Sequence, residues 1–243
     1  MAGLTAAALN IAAATLQPKG RILIFGDSLV DGWTSFGSGP KERFAPHLQR
    51  ALEERGLSME VNSVGQAGRA AAQALHPLKA QLKSNSYDAV LILLGANDLL
   101  QGSFMRGSLP SADLVSTTLG HLHKLHETVR ASGARSVALG LLHHPMVGAV
   151  PSGIEAVDSF NARLAREGGA DAFIDPSKLL PAGGAQGQLW SSDRVHMQPK
   201  GYIELGRRLA PPLISALELK HHHKSNEQEH DANANVRYPA AGL

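Results

Sequence analysis

Short apolar, branched runs recur along the chain at residues 22–25, 59–64, 89–94, 136–142 and 172–174. Each is followed by glycine or polar turn residues and then by a longer segment, near 41–56, 69–85, 111–132, 154–168 and 200–219, with apolar residues at helical spacing. Leu114, Leu119, Leu122, Leu125 and Val129 form one such stripe. Leu91-Ile92-Leu93-Leu94 has no polar alternation, which predicts a central parallel strand covered on both faces. Alternating strands and helices read as βαβ units, and right-handed crossovers must then cover both faces of the sheet. The expected fold class is therefore α/β: a three-layer α/β/α sandwich around a five-stranded parallel sheet.

The length, 243 residues, fits one such domain over 20–219, preceded by an extension at 1–19 and followed by a polar tail at 220–243 expected to be disordered. The extension is alanine-rich and its first lysine is Lys19, so the basic start of a secretory signal is missing and a cytoplasmic location is favoured. Hydrophobic residues at 43% and charged residues at 18% suit a soluble globular body, and no run of about 18 apolar residues predicts membrane insertion. The net charge of +2 comes from scattered basic residues and aromatics are only 5%, so no nucleic-acid surface is expected. With no cysteine, disulfides, thiolate nucleophiles and cysteine-ligated metals are excluded.

The chemistry concentrates in four segments. Gly26-Asp27-Ser28-Leu29 follows the first apolar run and puts a hydroxyl at the carboxyl end of a strand, where α/β sheets bind ligands. Ser28 there reads as a nucleophile or as a helix-capping turn serine. Asp193-Arg194-Val195-His196 spaces a carboxylate three residues before an imidazole, so that Asp193 can orient His196 as a base; the plainer alternatives are a turn aspartate and a surface histidine. Asn97, in a loop after the most apolar run, can donate from its amide to an oxyanion or bond its own turn. Gly68 can bring a backbone N–H close to substrate, with Gly65 as its rival. Asp98 reads as bonding nearby amides, and Asp175, followed by Pro176 and Ser177, as a turn or helix-start residue.

Together these segments resemble the SGNH, or GDSL, hydrolase family over residues 26–196. Gly26-Asp27-Ser28-Leu29 is similar to its first block, Asn62 to Gly68 to its second, Gly95-x-Asn97-Asp98 to its third and Asp193-x-x-His196 to its last. Gly68 stands six residues after Asn62, where the family commonly has five. The resemblance implies flavodoxin-like strand order, a Ser28, His196 and Asp193 triad, and an oxyanion hole from the Ser28 and Gly68 amides with Asn97. It also implies that neither metal nor cofactor is needed, and that the partner is a small ester: a short-chain or aryl ester first, with acetylated carbohydrates, lysophospholipids and thioesters as alternatives, and acyl transfer to an alcohol on the same residues.

Other chemistries fit less well. Val30 replaces the second glycine of a G-x-S-x-G elbow at Ser28, and neither a G-x-x-x-x-G-K-[ST] loop nor an H-E-x-x-H helix occurs. His121, His123 and His126 lie on one helical segment but do not share a face, so no metal is expected there. The loops at 31–39, 101–110 and 143–153 are expected to shape the pocket, with Trp33 and His143 as substrate contacts. A binding protein on the same fold without turnover is the non-enzymatic alternative. Flavodoxin-like nucleotide binding is the other; Asp27 and Asp31, after the first strand, oppose a phosphate there.

Overall fold

The computed structural model describes residues 19–180 and 188–233, except the side chains of Phe36 and of 219–233. Five strands form one sheet in the order β2-β1-β3-β4-β5. They are β1 (Gly20–Gly26), β2 (Met59–Gly65), β3 (Ala89–Leu93), β4 (Arg135–Leu139) and β5 (Ala172–Ile174), and every pairing is parallel. This is the doubly wound order that the resemblance implied, with its switch point between β1 and β3. Ligands bind such sheets at the carboxyl ends of those strands.

The two-residue period of β1, β3 and β4 divides the core. Ile22, Ile24, Leu91, Leu93, Val137 and Leu139 face α2 (Phe44–Glu53) and α8 (Pro199–Asn233), against Leu48, Leu52, Tyr202, Leu205 and Leu209. Leu23, Phe25, Val90, Ile92 and Ala138 face the other way, toward α3 (Leu75–Ser84), α5 (Ala112–Ala131) and α7 (Gly153–Glu167). Burial on both faces explains the unbroken apolar run in β3, where each aliphatic side chain contributes roughly 1.5–3 kcal/mol over exposure. The expected polar tail from Lys220 falls on the last stretch of α8, whose side chains are not described, and on residues beyond it.

Several boundaries differ from the sequence reading for local reasons. β4 ends at Leu139, not 142, because the Asn161 amide of α7 takes over the backbone of Leu141: its Oδ1 accepts from Leu141 N at 2.7 Å and its Nδ2 donates to Leu141 O at 2.9 Å. The segment after Gly68 does not enter a helix at once; a single 3-10 turn at 71–73 precedes α3. Three short helices go unpredicted: α1 (Ser28–Asp31), α4 (Ala96–Gly102) and α6 (Pro145–Gly148). They follow β1, β3 and β4 respectively, on the side of the sheet where such folds bind ligands. Among the described residues no helix is long and apolar enough to cross a membrane.

Candidate active site

Ser28 is the first residue of α1. The Asp27 carboxylate caps that helix by accepting from Leu29 N at 3.0 Å, and Gly32 closes it in a left-handed conformation with φ 79°. Both steps of the turn are thus fixed by residue type, and Ser28 sits at the switch point with 8% exposure. Its Oγ lies 2.9 Å from His196 Nε2.

His196 and Asp193 come from a hairpin-like loop after the last strand. Trp190 and Met197 pair across it as an antiparallel bridge, and Ser191 N donates to His196 O at 2.8 Å. At the tip Arg194 takes φ 65°, a conformation that costs a non-glycine residue roughly 1–2 kcal/mol. Bonds from Arg194 Nη2 to Pro145 O, at 3.0 Å, and from Met146 N to Arg194 O, at 3.0 Å, hold it there.

The Asp193 side chain is fully buried, and its Oδ2 lies 2.8 Å from His196 Nδ1. Oδ1 accepts from Ser191 Oγ at 2.7 Å, Val195 N at 2.9 Å and His196 N at 2.8 Å. Burial alone raises a carboxyl, yet the two amides, the Ser191 hydroxyl and the imidazole outweigh it and hold Asp193 well below the ordinary carboxylate range. A permanently ionised Asp193 keeps the proton on Nδ1, which leaves Nε2 with a lone pair facing Ser28.

Across the crevice stand the expected oxyanion donors. Asn97 lies in the first turn of α4, not in a loop, because Gly95 turns the chain at φ 109° straight from β3 into that helix. Its Nδ2 donates to Arg69 O at 3.2 Å and to Asp27 Oδ2 at 3.3 Å. Burial pushes the Asp27 carboxyl up to about 7, so near neutrality it is partly protonated. Asp98 bonds an amide, as expected, but across loops: both its oxygens accept from Ala71 N, at 3.2 and 3.0 Å.

The two rival glycines have different surroundings. A Cβ on Gly65 would lie 2.2 Å from Asp31 N and 2.6 Å from Asp27 O, so Gly65 is the place where β2 packs against the backbone that carries Ser28. Gly68 is exposed, has φ 73° and would bring a Cβ within 4 Å of nothing.

The two adjacent histidines after β4 face different ways. His143 turns away to Asp158 of α7, with Nε2 2.7 Å from Oδ1. His144 is the buried one: it caps α6, packs edge-on to Trp190 at 6.2 Å, and burial, with the charges of His196 and His143, pushes it down to about 4. The Trp33 ring lies 6.1 Å from that of His196. Trp33 Nε1 donates to Asp31 at 3.0 Å, Tyr202 Oη donates to Trp33 O at 2.5 Å, and Asp31 also pairs with Lys41 and Arg43 at 2.6 and 2.9 Å. Asp175 is a turn residue, accepting from Ser177 N at 3.1 Å.

Among the described residues no group of three or more His, Asp or Glu could hold a metal ion. His126 is buried against Ser136 Oγ at 2.7 Å, while His123 bonds the Glu167 carbonyl at 3.0 Å. The triple histidine at 221–223 lies outside the described side chains.

Comparison with known proteins gives a family and a fold. The profile of the GDSL-like Lipase/Acylhydrolase family matches residues 24–202. No curated protein sequence matches significantly. Among solved structures, the psychrotrophic esterase EstA from Pseudoalteromonas sp. is 20% identical with a TM-score of 0.63, covering 82% of this chain and 99% of its own. A carbohydrate acetylesterase family member from Sinorhizobium meliloti is 20% identical with a TM-score of 0.59, covering 82% and 99%. The lipase/acylhydrolase from Enterococcus faecalis is 18% identical with a TM-score of 0.59, covering 80% and 95%. At these identities they share the fold with this chain.

Proposed function

The chain belongs to the GDSL-like lipase/acylhydrolase family, and on that premise we propose that it is a serine esterase that hydrolyses carboxylic esters through an acyl-enzyme on Ser28. The observation that carries this reading is the buried relay from Ser28 Oγ to His196 Nε2, at 2.9 Å, and from His196 Nδ1 to Asp193 Oδ2, at 2.8 Å.

The reaction follows from those contacts. Ser28 Oγ attacks the acyl carbon as its proton passes to His196 Nε2, and the carbonyl oxygen becomes an oxyanion. The buried Asp193 carboxylate stabilises the imidazolium that results. The oxyanion is taken up by the Ser28 amide at the start of α1, the Gly68 amide and the Asn97 Nδ2, which exchanges Asp27 for the new charge. The bond from acyl carbon to leaving oxygen then breaks, and that oxygen takes the proton from Nε2. Water attacks the acyl-enzyme, gives its proton to Nε2, and the carboxylic acid leaves as Ser28 regains its proton. The chemistry is complete with protein groups.

Trp33 supports short-chain or aryl esters. The bond from Nε1 to Asp31 fixes the indole with its ring 6.1 Å from that of His196, where it offers a short acyl or aryl group an aromatic surface. Acetylated carbohydrates fall in the same size class, and the Sinorhizobium meliloti neighbour is a carbohydrate acetylesterase family member. Hydrolysis of p-nitrophenyl esters of increasing acyl length, by the intact chain and by Ser28→Ala, tests the proposal. Turnover that is fastest on the short esters and abolished by Ser28→Ala is expected. A folded protein inert on every ester, or a Ser28→Ala variant that retains the rate, overturns it.

A further inference from the structure

Gly68 has no packing of its own: it is exposed, and nothing stands within 4 Å of where its Cβ would be. The turn that carries its N–H is tied to the end of β1 by Gln66 N, which donates to Gly26 O at 3.2 Å, and by the residue that follows Gly68. The next residue, Arg69, has only 5% of its surface exposed, unusual for a cation outside an ion pair. Its Nη1 donates to Gly26 O at 3.1 Å and its Nη2 to Gln66 Oε1 at 2.8 Å, while its guanidinium lies 4.8 Å from the centre of the Phe25 ring. Arg69 N closes the turn on Gln66 O at 3.1 Å. Its carbonyl receives the Asn97 Nδ2 at 3.2 Å.

Building on the esterase reading above, we propose that Arg69 is the positioning residue of the oxyanion donors: its forked side chain fastens the Gly68 turn to the end of β1, and its carbonyl aims the Asn97 amide. One residue thereby ties together the three pieces of chain that carry the donors. Ser28 lies two residues beyond the anchoring carbonyl of Gly26. Gly68 is the residue before Arg69, and Asn97 is the partner of its carbonyl. The planar fork suits this task because two acceptors must be held at once while the ring of Phe25 covers the cation, which a single ammonium cannot reproduce. Donors displaced by about 1 Å lose on the order of 10²-fold in rate, and the loss falls on the transition state instead of on substrate binding.

The test compares wild type, Arg69→Met, Arg69→Lys, Asn97→Ala and the Arg69→Met/Asn97→Ala double variant on p-nitrophenyl acetate, with thermal unfolding run on each. Arg69→Met is expected to lower kcat about 10²-fold with KM changed less than threefold, and Arg69→Lys to recover only part of that. Because both substitutions act on the same donors, the double variant should fall short of the product of the single losses by tenfold or more. Nuclear magnetic resonance of the Gly68 amide and the Asn97 side-chain amide gives a readout independent of turnover: both signals should shift or broaden in Arg69→Met and, less, in Arg69→Lys. Multiplicative losses, a loss confined to KM, or unmoved Gly68 and Asn97 signals overturn the proposal. An inactive wild type whose signals respond to Arg69 as described overturns the esterase reading alone. Should Arg69→Met not fold, the Arg69→Lys comparison and its double with Asn97→Ala decide by the same criteria.

Discussion

Asp193→Asn separates the orientation of His196 from the folding of its loop, because the two oxygens of Asp193 do different work. Oδ1 holds the loop, accepting from Ser191 Oγ, Val195 N and His196 N at 2.7, 2.9 and 2.8 Å. An asparagine carbonyl in that position keeps all three. Its NH₂ then occupies the place of Oδ2, 2.8 Å from His196 Nδ1, and a donor there requires Nδ1 to be the unprotonated nitrogen. The proton moves to Nε2, which now donates to Ser28 Oγ and cannot accept its proton. A wrong tautomer of this kind costs about 10⁴-fold in kcat, or about 5.4 kcal/mol of transition-state stabilisation. Steady-state hydrolysis of p-nitrophenyl acetate alongside thermal unfolding is the assay, with the midpoint expected to stay within a few degrees of wild type. A kcat loss below tenfold in a folded variant refutes the argument, since it means that Asp193 does not set the tautomer.

Three further expectations concern the surrounding scaffold. Gly65→Ala places a Cβ 2.2 Å from Asp31 N and should destabilise the chain by about 3 kcal/mol or more, whereas Gly68→Ala meets only the cost of φ 73°, about 1–2 kcal/mol; equal urea midpoints for the two variants count against this. Burial pushes His126 down to about 3 and His144 to about 4, so as the pH falls below 6.5 the unfolded chain takes up protons that the folded chain refuses, and stability falls. Asp27, pushed up to about 7 by burial, acts in the opposite sense, losing stability as the pH rises from 3.8 through 7. Between pH 6.5 and about 4 the two histidines outweigh Asp27, while Asp98, also raised by burial, subtracts from the margin; the net loss on acidification is then at most about 1.4 kcal/mol per pH unit, and a urea midpoint at pH 5.5 equal to or above that at pH 7 contradicts it. Trp33→Ala should raise KM for aryl esters about tenfold with kcat changed less than threefold, because the indole is a wall near His196 and not a proton carrier; a drop in kcat at constant KM argues otherwise.

The sheet and the residues brought together at its carboxyl edge were legible because their signals are local in sequence. An unbroken run such as Leu91-Ile92-Leu93-Leu94 has few alternatives to a buried strand, and Asp193 and His196 lie three residues apart, within one loop. The short helices α1, α4 and α6 were not legible, since four to seven residues are too few for a period. Adjacent positions were also beyond pattern. His143 and His144 share a loop and a residue type, and only the packing of α6 and α7 decides that one reaches Asp158 while the other faces inward. Nothing in the sequence marks Arg69 as buried; its burial depends on the Gly26 carbonyl and the ring of Phe25, contacts that exist only once β1 and the loop after β2 meet.

The central claim is that His196 activates Ser28, and a fluorophosphonate probe tests it most directly; EstA, which shares this fold, is inhibited by monoethylphosphonate. The account predicts one covalent adduct, mapped by peptide mass spectrometry to Ser28, absent in Ser28→Ala and formed at least about 10²-fold more slowly in His196→Ala. An adduct on another residue, or a labelling rate at Ser28 that His196→Ala leaves unchanged, contradicts it.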